Sequence, residues 1–326
     1  MKTLTPTQEH RLAMMAQFIR GFLFAVILLA GVDCAQAQQS QAGRSSPPAS
    51  GYSFLEETPG DTELVETQDE RTLEYLFRPK FEDLARNDVI RFRNILKYGT
   101  TDKLEARARF EFYTGNPVRD SWNTDVSNAG IGIKYKFDEW PGFANIKSAT
   151  GFDFDFPIGS PSSRFTTGYA AVSPYIVFSR PLDRNPSVHT FANLGLSFFT
   201  NPPFREIPSD DRPDHRLDVT TGVIYYYSRT LSLTGELKYQ TTEIAGGGEN
   251  KVFLTPGVSW NIPRNYTEFL RIPGSMLVAV GVEVPLTSED ENYSTFAKLK
   301  WNFDVGRFLS ERFRKTEQQE KKPRTE

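Results

Sequence analysis

Leu231-Ser232-Leu233-Thr234-Gly235-Glu236-Leu237-Lys238-Tyr239-Gln240 is the stretch that decides the fold. Successive side chains of a strand point to opposite faces, so Leu231, Leu233, Leu237 and Tyr239 share one face. Ser232, Thr234, Glu236, Lys238 and Gln240 share the other. About ten residues of alternation exceed the five or six of an ordinary globular strand. Repeated between turns, such segments are the signature of a transmembrane β-barrel, apolar toward lipid and polar toward its interior. The rhythm runs through three segments of residues 217–261.

Working outward, the same reading applies to most of the chain. Residues 104–113 set Leu104, Ala106, Ala108, Phe110 and Phe112 against Glu105, Arg107, Arg109 and Glu111. Residues 128–137 set Ile131, Ile133, Tyr135 and Phe137 against Gly130, Gly132, Lys134 and Lys136, and 146–156 alternate Phe152, Phe154 and Phe156 with Gly151, Asp153 and Asp155. Residues 88–98, 169–179, 188–199, 276–286 and 295–303 complete the set, although Asn94 and Ile95 interrupt the first of these. That makes eleven segments, whereas bacterial single-chain barrels have an even number of strands. Connections near residues 99–102, 138–142, 181–184 and 228–230 are short, and those at 115–127, 157–167 and 201–215 are long. Short turns face the periplasm and long loops the outside, so another strand must precede residue 88. Residues 71–79, with Leu73, Tyr75 and Phe77 opposite Glu74, Leu76 and Arg78, supply it. The expected fold is all-β: an antiparallel up-and-down barrel of about twelve strands over residues 69–304. Pro256 cannot donate to a ladder, so a bulge assisted by Gly257 is expected there.

The N-terminus sets the compartment. Lys2, Arg11 and Arg20 precede an apolar run at residues 21–31, and Ala35-Gln36-Ala37 follows, the pattern of a secretory signal peptide over residues 1–37. The run is shorter than the roughly 20 apolar residues of a spanning helix. Cys34, the only cysteine, leaves with the signal, which excludes cysteine nucleophiles and cysteine-based zinc sites from the mature chain. Mean hydropathy of -0.46 does not argue against a membrane, because only alternate residues of a barrel strand face lipid. Aromatic content of 13% suits interfacial girdles, and a net charge of -3 gives no reason to expect nucleic acid. Residues 38–68, rich in Ser, Pro, Gly, Gln and Glu, read as a disordered periplasmic segment. Residues 305–326 read as a charged periplasmic tail.

The inward faces hold the chemistry. Lumen-lining candidates are Arg91, Arg93, Arg107, Arg109, Lys134, Lys136, Lys238, Lys298 and Lys300, with Glu105, Glu111, Asp153, Asp155, Glu236 and Glu283. Bases outnumber acids, which favours small anions such as aromatic carboxylates in a narrow pore. The alternative is that these groups pair across strands and fill the interior. A twelve-strand bore admits a modest channel, which the N-terminal segment or an inward loop could plug. A lipid hydrolase is the enzymatic alternative, with His189 and Asn193 on one face, yet both point inward and no Gly-x-Ser-x-Gly elbow is present. Gly246-Gly247-Gly248 reads as a loop, not a phosphate cradle, and no metal or cofactor motif stands out.

Tyr98-Gly99-Thr100-Thr101-Asp102-Lys103-Leu104-Glu105 resembles the outer-membrane transporter family associated with meta-pathway phenol degradation. Gly132-Ile133-Lys134-Tyr135, Phe156-Pro157-Ile158-Gly159-Ser160, Ala192-Asn193-Leu194-Gly195, Gly235-Glu236-Leu237, Thr255-Pro256-Gly257 and Val284-Pro285-Leu286-Thr287 follow in order, spanning roughly residues 88–303. The resemblance implies a barrel that passes small, often hydrophobic or aromatic, compounds. The partners expected are outer-membrane lipid, a small-molecule permeant and the barrel-assembly machinery; no cofactor is expected.

Overall fold

The computed structural model describes residues 58, 62–82, 89–115, 123–137, 146–159, 168–182, 185–201, 214–245, 248–269, 272–287 and 293–305. The expected signal peptide at 1–37, most of segment 38–68, residues 306–326 of the expected tail at 305–326, residues 116–122, 160–167 and 202–213 of the long connections, and Gly246-Gly247 lie outside them. The strands are β1 (Thr72–Glu82), β2 (Val89–Gly99), β3 (Leu104–Gly115), β4 (Asn123–Phe137), β5 (Lys147–Pro157) and β6 (Ala170–Leu182). The second half holds β7 (Asn185–Thr200), β8 (Arg216–Tyr226), β9 (Leu231–Thr241), β10 (Asn250–Ile262), β11 (Ser275–Pro285) and β12 (Ser294–Asp304). Each pairs antiparallel with its sequence neighbours, and β1 closes on β12 from Thr72↔Asp304 to Phe81↔Thr295. Closure leaves no sheet edge, which matters in hydrocarbon because unpaired N–H and C=O groups find no water there.

Burial is inverted relative to a water-soluble protein. Ile131 is 61% exposed and Ile133 56%, while Lys134 beside them is 2% exposed. Leu233, Leu237, Leu254 and Val280 are likewise exposed, while Glu74, Glu105 and Ser232 are fully covered. Tyr98, Tyr135, Phe137, Tyr225, Trp260 and Trp301 stand outward near the turn-side ends of their strands and mark one rim, where aromatic side chains suit the lipid–water boundary. At that rim the β10–β11 connection carries the short helix α1 (Arg264–Phe269).

Irregularities have local causes. The interruption at Asn94 and Ile95 leaves the register of β2 unbroken. Asn94 stands on the outer face, where its side-chain oxygen accepts from the Tyr75 hydroxyl at 2.7 Å, and Ile95 is buried inside. Bulges occur between β3 and β4, near Ser127 and Asn128, and between β6 and β7 at Pro181/Leu182. The one expected at Pro256 is absent: β10 keeps constant register with β9 through Pro256↔Gly235. Against β11, the pairs between Leu254↔Val284 and Gly257↔Gly281 drop out without any shift. The missing donor of proline is absorbed by omitting ladder positions, so no extra residue is needed.

Candidate functional site

Inside the barrel lies a segment that belongs to no strand: Thr62-Glu63-Leu64-Val65-Glu66-Thr67-Gln68. These residues fall within the stretch 38–68 that is expected from sequence to be disordered, and they have defined partners. Leu64 packs in a buried cluster with Phe191, Ile224, Tyr226, Leu277 and Ala279. Val65, fully buried, packs against Ala149, Tyr175 and Val177 on another part of the wall. The Glu-Leu-Val-Glu core thus spans two apolar patches built from inward positions of β5 to β8 and β11. A segment outside any ladder must find partners for its backbone groups among side chains. Lys134 Nζ donates to the carbonyls of Leu64 (3.2 Å) and Glu66 (2.6 Å), and Asn193 donates to that of Glu63 (3.4 Å). Gln68 N donates to Glu105 (3.1 Å), its side-chain amide to Glu74 (2.8 Å), and Thr67 Oγ1 to the Asp102 carbonyl (2.9 Å).

Its two glutamates meet a cationic wall. Glu63 lies 2.7 Å from Arg107 and 3.9 Å from both Lys97 and Lys134. Glu66 lies 2.8 Å from Lys136 and 2.5 Å from Lys147. Burial alone would raise the Glu63 pKa, but Lys97, Arg107, Lys134 and Lys298 together hold it well below the usual carboxylate range. Glu66 is also lowered: its hydrogen bonds and charge contacts with Lys136 and Lys147 outweigh its burial. Both side chains are charged at neutral pH.

The wall is internally paired as well. Arg107 on β3 binds both oxygens of Asp153 on β5, at 2.6 and 2.9 Å, and Arg109 pairs with Asp155 in the same way. Each pair reaches across β4, where the intervening inward residues are Gly132 and Gly130. A Cβ on Gly132 would overlap Asp153 and crowd Arg107, and one on Gly130 would overlap Asp155. Tyr175 likewise lies over Gly151, its hydroxyl bonded to Arg107 and its ring 4.9 Å from the guanidinium. The glycines make a trough in which side chains of non-neighbouring strands meet.

The lumen candidates divide into two levels. Glu105, Arg107, Arg109, Lys134, Lys136, Asp153, Glu236, Lys298 and Lys300 stand around the segment, and Asp155 joins them through Arg109. Lys134 faces Glu105 at 3.8 Å, and Lys300 faces Glu74 at 3.0 Å, which Lys97 approaches at 3.2 Å. Lys298 donates to the Thr58 carbonyl, and Glu236 accepts from the Thr62 hydroxyl. Toward the long loops, Arg93 pairs with Glu111 and Lys80 with Glu283 at 2.6 Å, in a band that also holds Arg91 and Lys238. His189 and Asn193 face the lumen, His189 edge-on to Tyr226 at 4.9 Å, so neither is presented to lipid. Sequence reasoning did not single out Glu63, Glu66, Lys147 or Tyr175. A signal for the segment's seat was present in the apolar side chains at inward positions, Ile95 among them. A cavity of about 230 Å³ adjoins it, lined by Glu63, Leu76, Ile95, Lys97, Lys134 and Lys298 among others. Among the described residues no group of three or more His, Cys, Asp or Glu gathers as a metal site.

Fold and interior define a class: a closed twelve-strand barrel of the outer-membrane type, with a segment of its own chain seated in the bore. No protein-family model and no curated protein matches the chain. Among solved structures, an outer membrane channel from Pseudomonas putida F1 is similar with a TM-score of 0.53 and 13% identity, over 76% of this chain and 100% of that one. The KdgM porin (TM-score 0.46, 9% identity, 70% of this chain, 98% of that one) and the NanC porin (0.46, 9%, 71% and 100%) are also similar. At these identities the likeness is one of fold.

Proposed function

We propose that the protein is a non-enzymatic outer-membrane channel for small, hydrophobic or aromatic and in part acidic compounds, closed at rest by residues 62–68. An N-terminal signal cleaved near Ala37 delivers it, the barrel-assembly machinery inserts it, and the charged side chains on the inner faces line the path. One observation carries this reading: the occluding segment joins no strand, and ion pairs, side-chain hydrogen bonds and two small apolar contacts hold it. Such contacts break without disturbing the ladder that closes the barrel. The resemblance to the transporter family of phenol degradation and the likeness to the Pseudomonas putida channel support the same reading.

The test is single-channel recording in planar bilayers. The full chain gives brief, small openings, and a chain lacking residues 62–68 gives a sustained larger conductance. A folded barrel that conducts in neither form contradicts the proposal. A second reading, a structural barrel with a permanently filled bore, is favoured by the complete burial of Val65. It expects silence from the full chain under every voltage and permeant. Growth of a deletion strain on a panel of aromatic carbon sources identifies the permeant class.

A further inference from the structure

Around the Glu63 carboxylate the wall contributes Lys97, Arg107, Lys134 and Lys298. Wall carboxylates face three of these cations as well: Glu74 at Lys97, Glu105 at Lys134 and Asp153 at Arg107. Glu63 supplies the next negative charge from a segment that is not part of the wall. Its two oxygens divide the work: one meets Arg107 at 2.7 Å, and the other lies 3.9 Å from both Lys97 and Lys134. Fixed cations converging on one carboxylate at this spacing form a site for any carboxylate that reaches them. The adjoining cavity of about 230 Å³ adds apolar surface from Leu76 and Ile95 beside Lys97 and Lys134. Empty cavities of roughly 150 Å³ hold benzene. The surroundings therefore suit a carboxylate attached to a small apolar body.

We infer that Lys97, Arg107 and Lys134 form a binding site for small aromatic monocarboxylates, which Glu63 occupies as a built-in competitor. The inference rests on the channel reading and names its ligand: an acidic permeant competes with Glu63 for the cations and so loosens the segment. A competitor on the same chain acts at an effective concentration of about millimolar or above. Removing its charge takes away the carboxylate that Arg107, Lys97 and Lys134 share, while Asp153, Glu74 and Glu105 still face them, and a buried cationic site that has lost one anion favours uptake of another.

The test is equilibrium binding of radiolabelled benzoate to the detergent-solubilised full-length mature protein, with benzamide as the uncharged comparator. Glu63→Gln is expected to bind benzoate at least tenfold more tightly than the native protein, with benzamide binding unchanged. Adding Lys134→Met to that variant removes the gain. Glu63→Asp, which keeps the charge, stays within threefold of the native protein. Equal benzoate affinity in the native protein and Glu63→Gln overturns the inference, as does a gain shared by benzamide, which signals an enlarged cavity alone. Heat-modifiable gel mobility identifies folded barrel in every variant. Should Glu63→Gln fail to fold, Arg107→Lys takes its place, and unchanged benzoate binding in that variant overturns the inference. Binding is read without conductance: tighter benzoate binding in a barrel that never conducts contradicts the channel reading and leaves the site standing. Conduction with equal affinities contradicts the site alone.

Discussion

Leu64→Ala is the sharpest perturbation of the seated segment. Leu64 is 8% exposed and packs in a buried cluster with Phe191, Ile224, Tyr226, Leu277 and Ala279, all on the barrel wall. Truncating a buried leucine to alanine costs about 2–5 kcal/mol, because the transfer energy of the lost methyl groups is compounded by the cavity left behind. The whole cost falls on docking of the segment, since the ladder of the barrel contains none of these atoms. At about 1.4 kcal/mol per tenfold change in an equilibrium constant, the docked-to-undocked ratio falls by a factor of roughly 30 to several thousand. In planar bilayers Leu64→Ala should therefore open far more often than the native chain, with the single-channel current of the form lacking residues 62–68. The temperature at which the folded band is lost on gels should not move. Openings as rare as in the native chain, beside a freely conducting deletion form, would refute the packing argument.

Acidity provides an independent handle. Glu63 and Glu66 lie below their ordinary value of 4.5 when docked, so the undocked segment takes up more protons as pH falls. Their contribution to docking is complete above pH 4.5 and is lost as pH falls through the docked values. Conductance should be flat from about pH 8 to 5 and rise below 4.5; a rise between pH 7 and 5 would contradict this. Gly132→Ala places a methyl in the path of the Arg107–Asp153 pair, and breaking a buried pair costs about 3–5 kcal/mol. Gly235→Ala, whose added Cβ meets nothing within 4 Å, should leave barrel stability unchanged in the same gel assay. Ile131→Lys puts a charge on the outer face near mid-strand, at a cost of roughly 2–4 kcal/mol if that position lies at the bilayer midplane. The expected readout is a lower folded fraction in lipid vesicles, with recovery in Ile131→Leu.

The barrel was legible because each strand must show lipid an unbroken apolar face, a constraint written locally in residues such as Leu231, Leu233 and Leu237. β1 was less evident and followed from parity and loop lengths, which are properties of the closed object. That the N-terminal segment could plug the bore is an expectation from sequence, but which of its residues sit there was not legible. Seven residues that match wall groups on many strands carry no periodicity, and their glutamates resemble those of any solvated tail. The trace they leave is on the wall, where apolar side chains such as Ile95, Val177, Phe191, Ile224 and Leu277 interrupt a face that also carries Lys97, Arg107 and Lys134. Pro256 misled because a proline can be accommodated by dropped ladder positions as well as by a bulge, and local sequence does not distinguish the two.

Cysteine cross-linking tests the seat directly. Val65→Cys and Val177→Cys are introduced together in a chain whose native cysteine, Cys34, is replaced by serine, and the barrel is oxidised in isolated outer membranes. Val65 and Val177 share one buried cluster, so an intramolecular disulfide should form and hold the channel shut until it is reduced. Failure of that pair to link, while a cross-strand control at Ala108 and Ile131 links readily, would place residue 65 away from the wall and contradict the account.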